Sequence, residues 1–288
     1  MLKNYKKAFS LIELSMVILV IGILIAGVFE GGKMLRSFKL TSARALTQSS
    51  PVQGIKNLVA WYESTSERSF DSTIDASNSS SNTITNWYDI NQQQVAKNGT
   101  QSTSSQRPLL VENIINGLPV VKFDMATDQY LNLPNGTVPY ANSPYTVFIV
   151  FKMSEVSNIR LLKGGEWSPA NALNQFNIGS GRQLANYWNG TTATTDTWLL
   201  RENTSYIADF WYDQSNIKIY KDGTLVQTQA SSLNVVVATS NKIGPGTGSP
   251  VLAKLYLAET IIFDRALTDE ERKAIEDYLS KKWGIAVS

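Results

Sequence analysis

From Phe9 to Phe29 the chain is apolar apart from Glu13 and the small residues Ser10, Ser15, Gly22, Ala26 and Gly27, a run of 21 residues. Nothing else in the sequence limits the fold as sharply. At about 1.5 Å per residue a helix over this run reaches roughly 31 Å, enough to cross the hydrocarbon core of a bilayer. Lys3, Lys6 and Lys7 precede it with no acid among them, so the positive-inside rule predicts a cytoplasmic N-terminus and translocation of the remainder of the chain. Glu13 is the anomaly. A carboxylate within a membrane helix costs roughly 2.5–3.5 kcal/mol near the centre and less near an end, and a bare anchor gains nothing from it.

Three readings compete for this segment: a cleaved secretory signal, a simple anchor, or a processed helix that assembles with others. The run exceeds the usual apolar region of a secretory signal, and no A-x-A site closes it. A cut between Ala8 and Phe9 would set a new amino group one helical turn from Glu13. That i, i+4 spacing places both charges on one face, where they neutralise each other within a chain or between neighbours.

The stretch KKAFSLIEL resembles the class III signal of type IV prepilins and pseudopilins. The resemblance implies that a prepilin peptidase, a membrane aspartyl enzyme, cuts between Ala8, where the family usually carries glycine, and Phe9. It further implies methylation of the Phe9 amine and a role for Glu13 in guiding the subunit into a helical filament. The implied partners are the membrane, the peptidase and other pilin subunits. Loss of the three leader lysines leaves a nearly neutral chain.

Met34, Leu35, Phe38, Ala43, Ala45 and Leu46 recur at partly helical spacing, so the helix is expected to continue to about Ser49, before Pro51. Gly31 and Gly32, each near 1 kcal/mol worse than alanine, predict a kink or a melted turn. The expected organisation is a leader at 1–8, a transmembrane and assembly helix at 9–50, and an outer domain at 54–288.

The outer domain is rich in Ser, Thr, Asn, Gly and aromatics, and its short runs read as strands: Thr146 to Lys152, Tyr206 to Asp213, Ile217 to Gln229 with a tight turn at Asp222-Gly223, and Lys254 to Asp264. Frequent turns between short strands predict a two-sheet sandwich. The last segment, ALTDEERKAIEDYLSKKWGI, predicts a helix with a Thr268–Glu271 capping box, Lys281 and Lys282 in its last turn and Gly284 at its end. Ala274, Ile275, Tyr278, Leu279 and Trp283 form its apolar face, which implies a packing role.

Taken together, LVAWYEST, NWYD, INGLPVVKFD, ATDQYLNL, YTVFIVFK and LAETIIFDRALTDEERKAIEDYLSKKWGI resemble a laminin-G-like, concanavalin A-type jelly roll of bacterial surface proteins. The expected fold is mainly β, a long N-terminal pilin helix followed by a concanavalin A-like β-sandwich with a C-terminal helix. The resemblance implies adhesive binding of carbohydrate or protein, in some members with calcium. Fold alone does not assign these.

Composition narrows the chemistry. The absence of His and Cys excludes Ser-His-Asp and Cys-His catalysis, His or Cys zinc sites and disulfides, and 26 basic against 24 acidic residues gives no reason to expect nucleic acid. A retaining glycosidase needs two carboxylates about 5–5.5 Å apart. The E-x-D-x-x-E strand pattern is missing, Glu276-Asp277 falls in the helix and Glu259 stands alone in its strand, so no enzyme is expected. No cofactor is expected either, with calcium the one open alternative. Asp124 and Asp128 would be its best local pair, and solvated turn acids explain them equally. For sugar binding the loops offer Trp167, Tyr187, Trp188 and Trp198 beside Asn186 and Asn189; core packing is the competing role for each tryptophan. The serine-rich stretches Ser77 to Asn86 and Asn98 to Gln106 read as exposed polar loops.

These features lead to a filament subunit, most simply a minor or tip pilin, that displays a binding domain. A type II secretion pseudopilin, or a singly anchored sugar-binding surface protein, remains the alternative.

Overall fold

The computed structural model describes residues 11–155, 157–166, 172–188, 191–194, 199–235, 239–246 and 253–288. The chain divides into two compact units between Ser42 and Ala43. Helix α1 spans Leu11–Gln48, so residues 43–48 fall in the second unit. In the first unit the apolar side chains stand exposed along the helix, Leu11 at 85% and Phe29 at 68%. A helix apolar on its whole circumference suits lipid or other helices rather than water. Among the described residues, one helix is long and apolar enough to cross a membrane.

No turn melts at Gly31-Gly32, because α1 is continuous through both. Glycine weakens a helix through backbone entropy, but it keeps its N–H. Lys33, Met34, Leu35 and Arg36 are good helix formers on the far side, and the hydrogen-bond ladder carries through.

The second unit holds β1 (Leu58–Glu63), β2 (Asn86–Trp87), β3 (Gly99–Thr100), β4 (Leu109–Ile115), β5 (Leu118–Asp124), β6 (Leu131–Leu133), β7 (Tyr145–Met153) and β8 (Ile159–Gly165). It continues with β9 (Leu173–Ile178), β10 (Leu184–Trp188), β11 (Thr191–Thr194), β12 (Ser205–Tyr212), β13 (Asn216–Lys221), β14 (Thr224–Ala230), β15 (Asn241–Ile243), β16 (Lys254–Phe263) and helix α2 (Asp269–Trp283). One sheet runs β14-β13-β12-β7-β16-β5-β4, with β1 also on β16; the other runs β11-β10-β9-β8-β15-β6-β3-β2. The expected mainly β sandwich with a C-terminal helix is the observed architecture.

Strand β7 shows why the first sheet sits in the middle of this unit. Tyr145, Val147, Ile149, Phe151 and Met153 face the core between the sheets, whereas Phe148 and Val150 join a second cluster with Ile275, Tyr278, Leu279 and Trp283 of α2. Burial on both faces is what makes TVFIVF unbroken rather than alternating. The second cluster also takes in Ala43 from the end of α1.

On β16 the register slips between Leu257 and Glu259, where Ala258 forms a bulge. Leu255 and Leu257 face the inter-sheet core, but beyond the bulge Ile261 and Phe263 face α2. The extra residue therefore turns Glu259 to the helix side. Asp222 and Gly223 close the β13–β14 hairpin with φ of 50° and 81°, as a type I′ turn demands. The capping box at Thr268 and Glu271 forms, and Gly284 ends α2 at φ 65°. The serine-rich stretches are exposed at 77–80 and 102–105, as expected, but Asn86 opens β2, Gly99–Thr100 form β3, and Ile84 and Gln101 are buried. Single apolar or amide side chains were enough to pin them to the sandwich edge.

Candidate functional site

Three parts of the chain bear on function: the N-terminal segment, a buried charge cluster beneath α2, and the outer face of the second sheet. Ala8 and Phe9 lie outside the described residues. Glu13 occupies the first turn of α1 with its side chain exposed.

The charge cluster forms where the end of α1, the first sheet and α2 meet. Glu63 ends β1, Glu259 follows the β16 bulge, and Lys282 comes from the last turn of α2; all three side chains are 0% exposed. The Lys282 ammonium donates to Glu63 Oε1, to Glu259 Oε2 at 2.9 Å and to Thr47 Oγ1 at 2.7 Å, with Tyr278 Oη at 3.2 Å. Glu259 accepts in addition from Trp61 Nε1 at 2.7 Å, Tyr278 Oη at 2.7 Å and Trp283 Nε1 at 2.8 Å. Glu63 accepts from the Thr65 backbone N–H at 3.0 Å and from the Thr65 hydroxyl. Two carboxylates thus share one ammonium, and fixed N–H and O–H dipoles supply the rest of the compensation.

Burial pushes the Glu259 carboxyl up, Lys282 opposes that and Glu63 adds to it. The Tyr278 phenol is also driven well above its usual range, by burial first and then by Glu259. The arrangement has every group saturated and no open coordination for a reacting molecule. Its evident capacity is mechanical, since it ties Thr47 of α1 to the C-terminal helix and the central sheet. Sequence reasoning missed it. The signal was present as charges inside apolar strands, Glu63 closing LVAWYE and Glu259 within KLYLAETIIF, while Lys282 read only as a complement to the helix dipole.

A second acidic group lies on the same side of that sheet. Asp209 of β12 is 1% exposed and neither carboxyl oxygen has a hydrogen-bond partner among the described residues; Arg272 Nη1 stands 3.8 Å away and is itself bonded to Glu276. Burial pushes the Asp209 carboxyl well up, Glu276 adds to this and Arg272 opposes it. A raised folded-state pKa means that stability is full below the unfolded value, about 3.9, and is lost as pH rises through the folded value. Asp209→Asn should therefore melt a few degrees higher than the parent at pH 8, with the gap closing towards about pH 4. Thermal melts across that range check it; a lower melting temperature at pH 8 would contradict it.

The sequence-expected ligand residues are scattered. Tyr187 and Trp188 lie on strand β10 rather than in a loop. Trp188 is 8% exposed and packs in the inter-sheet core, and its neighbour Asn186 is fully buried, accepting from Tyr145 Oη and donating to Asn174 Oδ1 at 2.9 Å. Alternation along β10 accounts for both, because even-numbered positions face inward and leave Tyr187, with Ala185, on the outer face. Trp167, Trp198 and Asn189 lie outside the described residues. Asp124 caps a 3-10 turn by accepting from the Ala126 N–H at 3.1 Å, and Asp128 ends that turn at φ 51°. Among the described residues, no group of three acidic side chains is placed to hold a metal ion.

Residues 3–29 match the family model of the prokaryotic N-terminal methylation motif. This match supports a type IV pilin- or pseudopilin-like subunit, anchored in a membrane by its N-terminal helix. No curated protein matches the chain. Among solved structures, the Trypanosoma rangeli sialidase in complex with 2,3-difluorosialic acid aligns at 14% identity and a TM-score of 0.51, over 79% of this chain and 33% of the sialidase. Domain 4 of AbnA, a GH43 extracellular arabinanase from Geobacillus stearothermophilus, in complex with arabinotriose, aligns at 16% identity and a TM-score of 0.48, over 77% of this chain and 98% of that domain. The binding domain of botulinum neurotoxin serotype D/C aligns at 11% identity and 0.49, over 77% and 52%. The sialidase likeness, confined to about a third of that enzyme, shows the β-sandwich fold and nothing of its chemistry.

Proposed function

We propose that this chain is a type IV pilin-like filament subunit, a minor or tip pilin, that carries a β-sandwich binding domain on its assembly helix. The observation that carries the reading is the methylation motif over residues 3–29 with Glu13 four residues beyond Phe9. In this reading the peptidase cuts between Ala8 and Phe9, the Phe9 amine is methylated, and Glu13 neutralises that amine during assembly. Lys3, Lys6 and Lys7 hold the leader in the cytoplasm, and the domain from residue 43 onward faces the periplasm or the cell exterior. The domain acts by adhesion, to glycan or to a surface protein, without chemistry of its own; the saturated cluster around Lys282 serves it as a joint that carries load from the end of α1 into the sheet. A pseudopilin of a secretion machine uses the same helix and peptidase, and differs in where the mature chain resides.

Two measurements on native cells test this. The mature protein should begin at Phe9 with one added methyl group by mass spectrometry, and it should appear in sheared surface fibres. A chain beginning at Met1 overturns processing and leaves an anchored surface protein. Correct processing with retention in the envelope moves the assignment to the pseudopilin.

A further inference from the structure

The register of the second sheet places an unusual set of side chains on one face. Thr100 pairs with Asn132, Asn132 with Lys242, Lys242 with Lys163, Lys163 with Gln175 and Gln175 with Tyr187. Directly paired residues of antiparallel strands point to the same side, so these six form one continuous row across β3, β6, β15, β8, β9 and β10. The opposite side is the core, where Leu131, Ile243, Leu162 and Phe176 form the corresponding apolar row. The polar row is therefore the outer face. At about 4.8 Å per strand it extends roughly 24 Å.

A bulge at Leu161, where the β8–β9 register shifts, brings Arg160 to this face as well. Its Nε donates to Gln175 Oε1 at 2.8 Å. Arg160 pairs with Asn177, whose Oδ1 is buried without a hydrogen-bond partner among the described residues, in a side chain only 7% exposed. The middle of the row is recessed, with Lys163 at 6% and Gln175 at 3% exposure, whereas Arg160, Lys242 and Tyr187 are half-exposed and Asn132 is open. Lys163 is paired with Glu166 at 2.8 Å. Lys242 sits 4.1 Å over the Tyr130 ring. Three cations, Arg160, Lys163 and Lys242, thus face two acids, Glu166 and Asp128, whose attraction Arg160 also feels.

We propose that this face binds an acidic oligosaccharide, a chain of sugars bearing carboxylates. The inference rests on the binding-domain part of the function proposed above. The row has no aliphatic side chain, whereas a protein interface is built round an apolar centre. Amides that bond hydroxyls in two directions, aromatic rings at its margins and an excess of cations suit a hydroxyl-rich anion. Asn132 and Tyr187, which are accessible on the row, meet the hydroxyl groups, and Arg160 and Lys242 hold the carboxylates; Gln175 lies beneath them and positions Arg160.

The test is calorimetric titration of the full chain, in detergent, with oligogalacturonate and with the same oligomer fully methyl-esterified. The parent should bind the acidic oligomer, more weakly at higher salt, and the ester about tenfold more weakly or not at all. Arg160→Met and Lys242→Met should each lower affinity for the acidic oligomer about tenfold, with melting temperatures unchanged as the control for folding. Absence of binding, equal affinity for the ester, displacement by polyglutamate at equal charge concentration, or indifference to both substitutions overturns the proposal. If the chain nevertheless begins at a methylated Phe9 and appears in sheared fibres, the filament reading stands while the saccharide assignment falls.

Discussion

Lys282→Met should lower the unfolding free energy of the domain by about 3–5 kcal/mol, the range for removing one partner of a buried ion pair. The substitution keeps the volume and the stem of the side chain, so packing against Trp283 and Tyr278 changes little. What it removes is the ammonium shared by Glu63 and Glu259, each fully buried. The Glu259 carboxyl, already pushed up by burial, must then either stay charged without its counter-ion or take up a proton. Loss of Lys282 therefore hurts most at neutral pH and least at acid pH, where protonated carboxyls need no partner. Adding Glu259→Gln to Lys282→Met should recover part of the loss, because the neutral amide still accepts from Trp61 and Tyr278. Denaturant unfolding of the full chain in detergent at pH 7.5 and pH 5 supplies the comparison, with a double-mutant cycle for the coupling. A Lys282→Met chain within about 0.5 kcal/mol of the parent would show that the cluster is not an energetic joint.

Glu13→Ala should leave membrane insertion intact or improved and remove the subunit from filaments, on the assembly role proposed above. The alanine variant eliminates a carboxylate that costs roughly 2.5–3.5 kcal/mol near a helix centre, so insertion loses nothing. Assembly, however, buries the methylated amine of Phe9 in a low-dielectric bundle, where an unmatched charge costs several kcal/mol. Even about 2.8 kcal/mol is a hundredfold in incorporation. Glu13→Gln keeps the shape and a hydrogen-bonding end but not the charge, and it should fail to a similar degree. The comparison is the amount of each variant in sheared fibres against the amount in membranes. Parental levels of Glu13→Ala in fibres would dispose of the charge-pairing argument.

Legibility differed by kind of interaction. Features read from neighbours in sequence were found where expected: the capping box at Thr268, the Gly284 cap, the Asp222-Gly223 turn and the strands around Thr146 and Lys254. Gly31 and Gly32 show the limit of propensity, which weighs residues one at a time while a helix forms cooperatively. From sequence, Tyr187 and Trp188 read as loop residues, because NYWNG has no alternation long enough to count. Register with β9 sets them on opposite faces, and only Tyr187 remains available on the outer side.

The amino-acid sequence by itself determined the lipid-ready helix with its single carboxylate, the signal KKAFSLIEL, the strand-rich composition and the capped terminal helix, because each depends on residues within a few positions of one another. Tertiary structure alone decided that Glu63, Glu259, Lys282 and Thr47 meet, and that six polar residues from six strands share one outer face. Those groupings join positions up to 235 residues apart. They depend on a one-residue bulge at Ala258, another at Leu161 and the register of each strand pair, and a shift of a single residue would reverse the face on which every one of them lies.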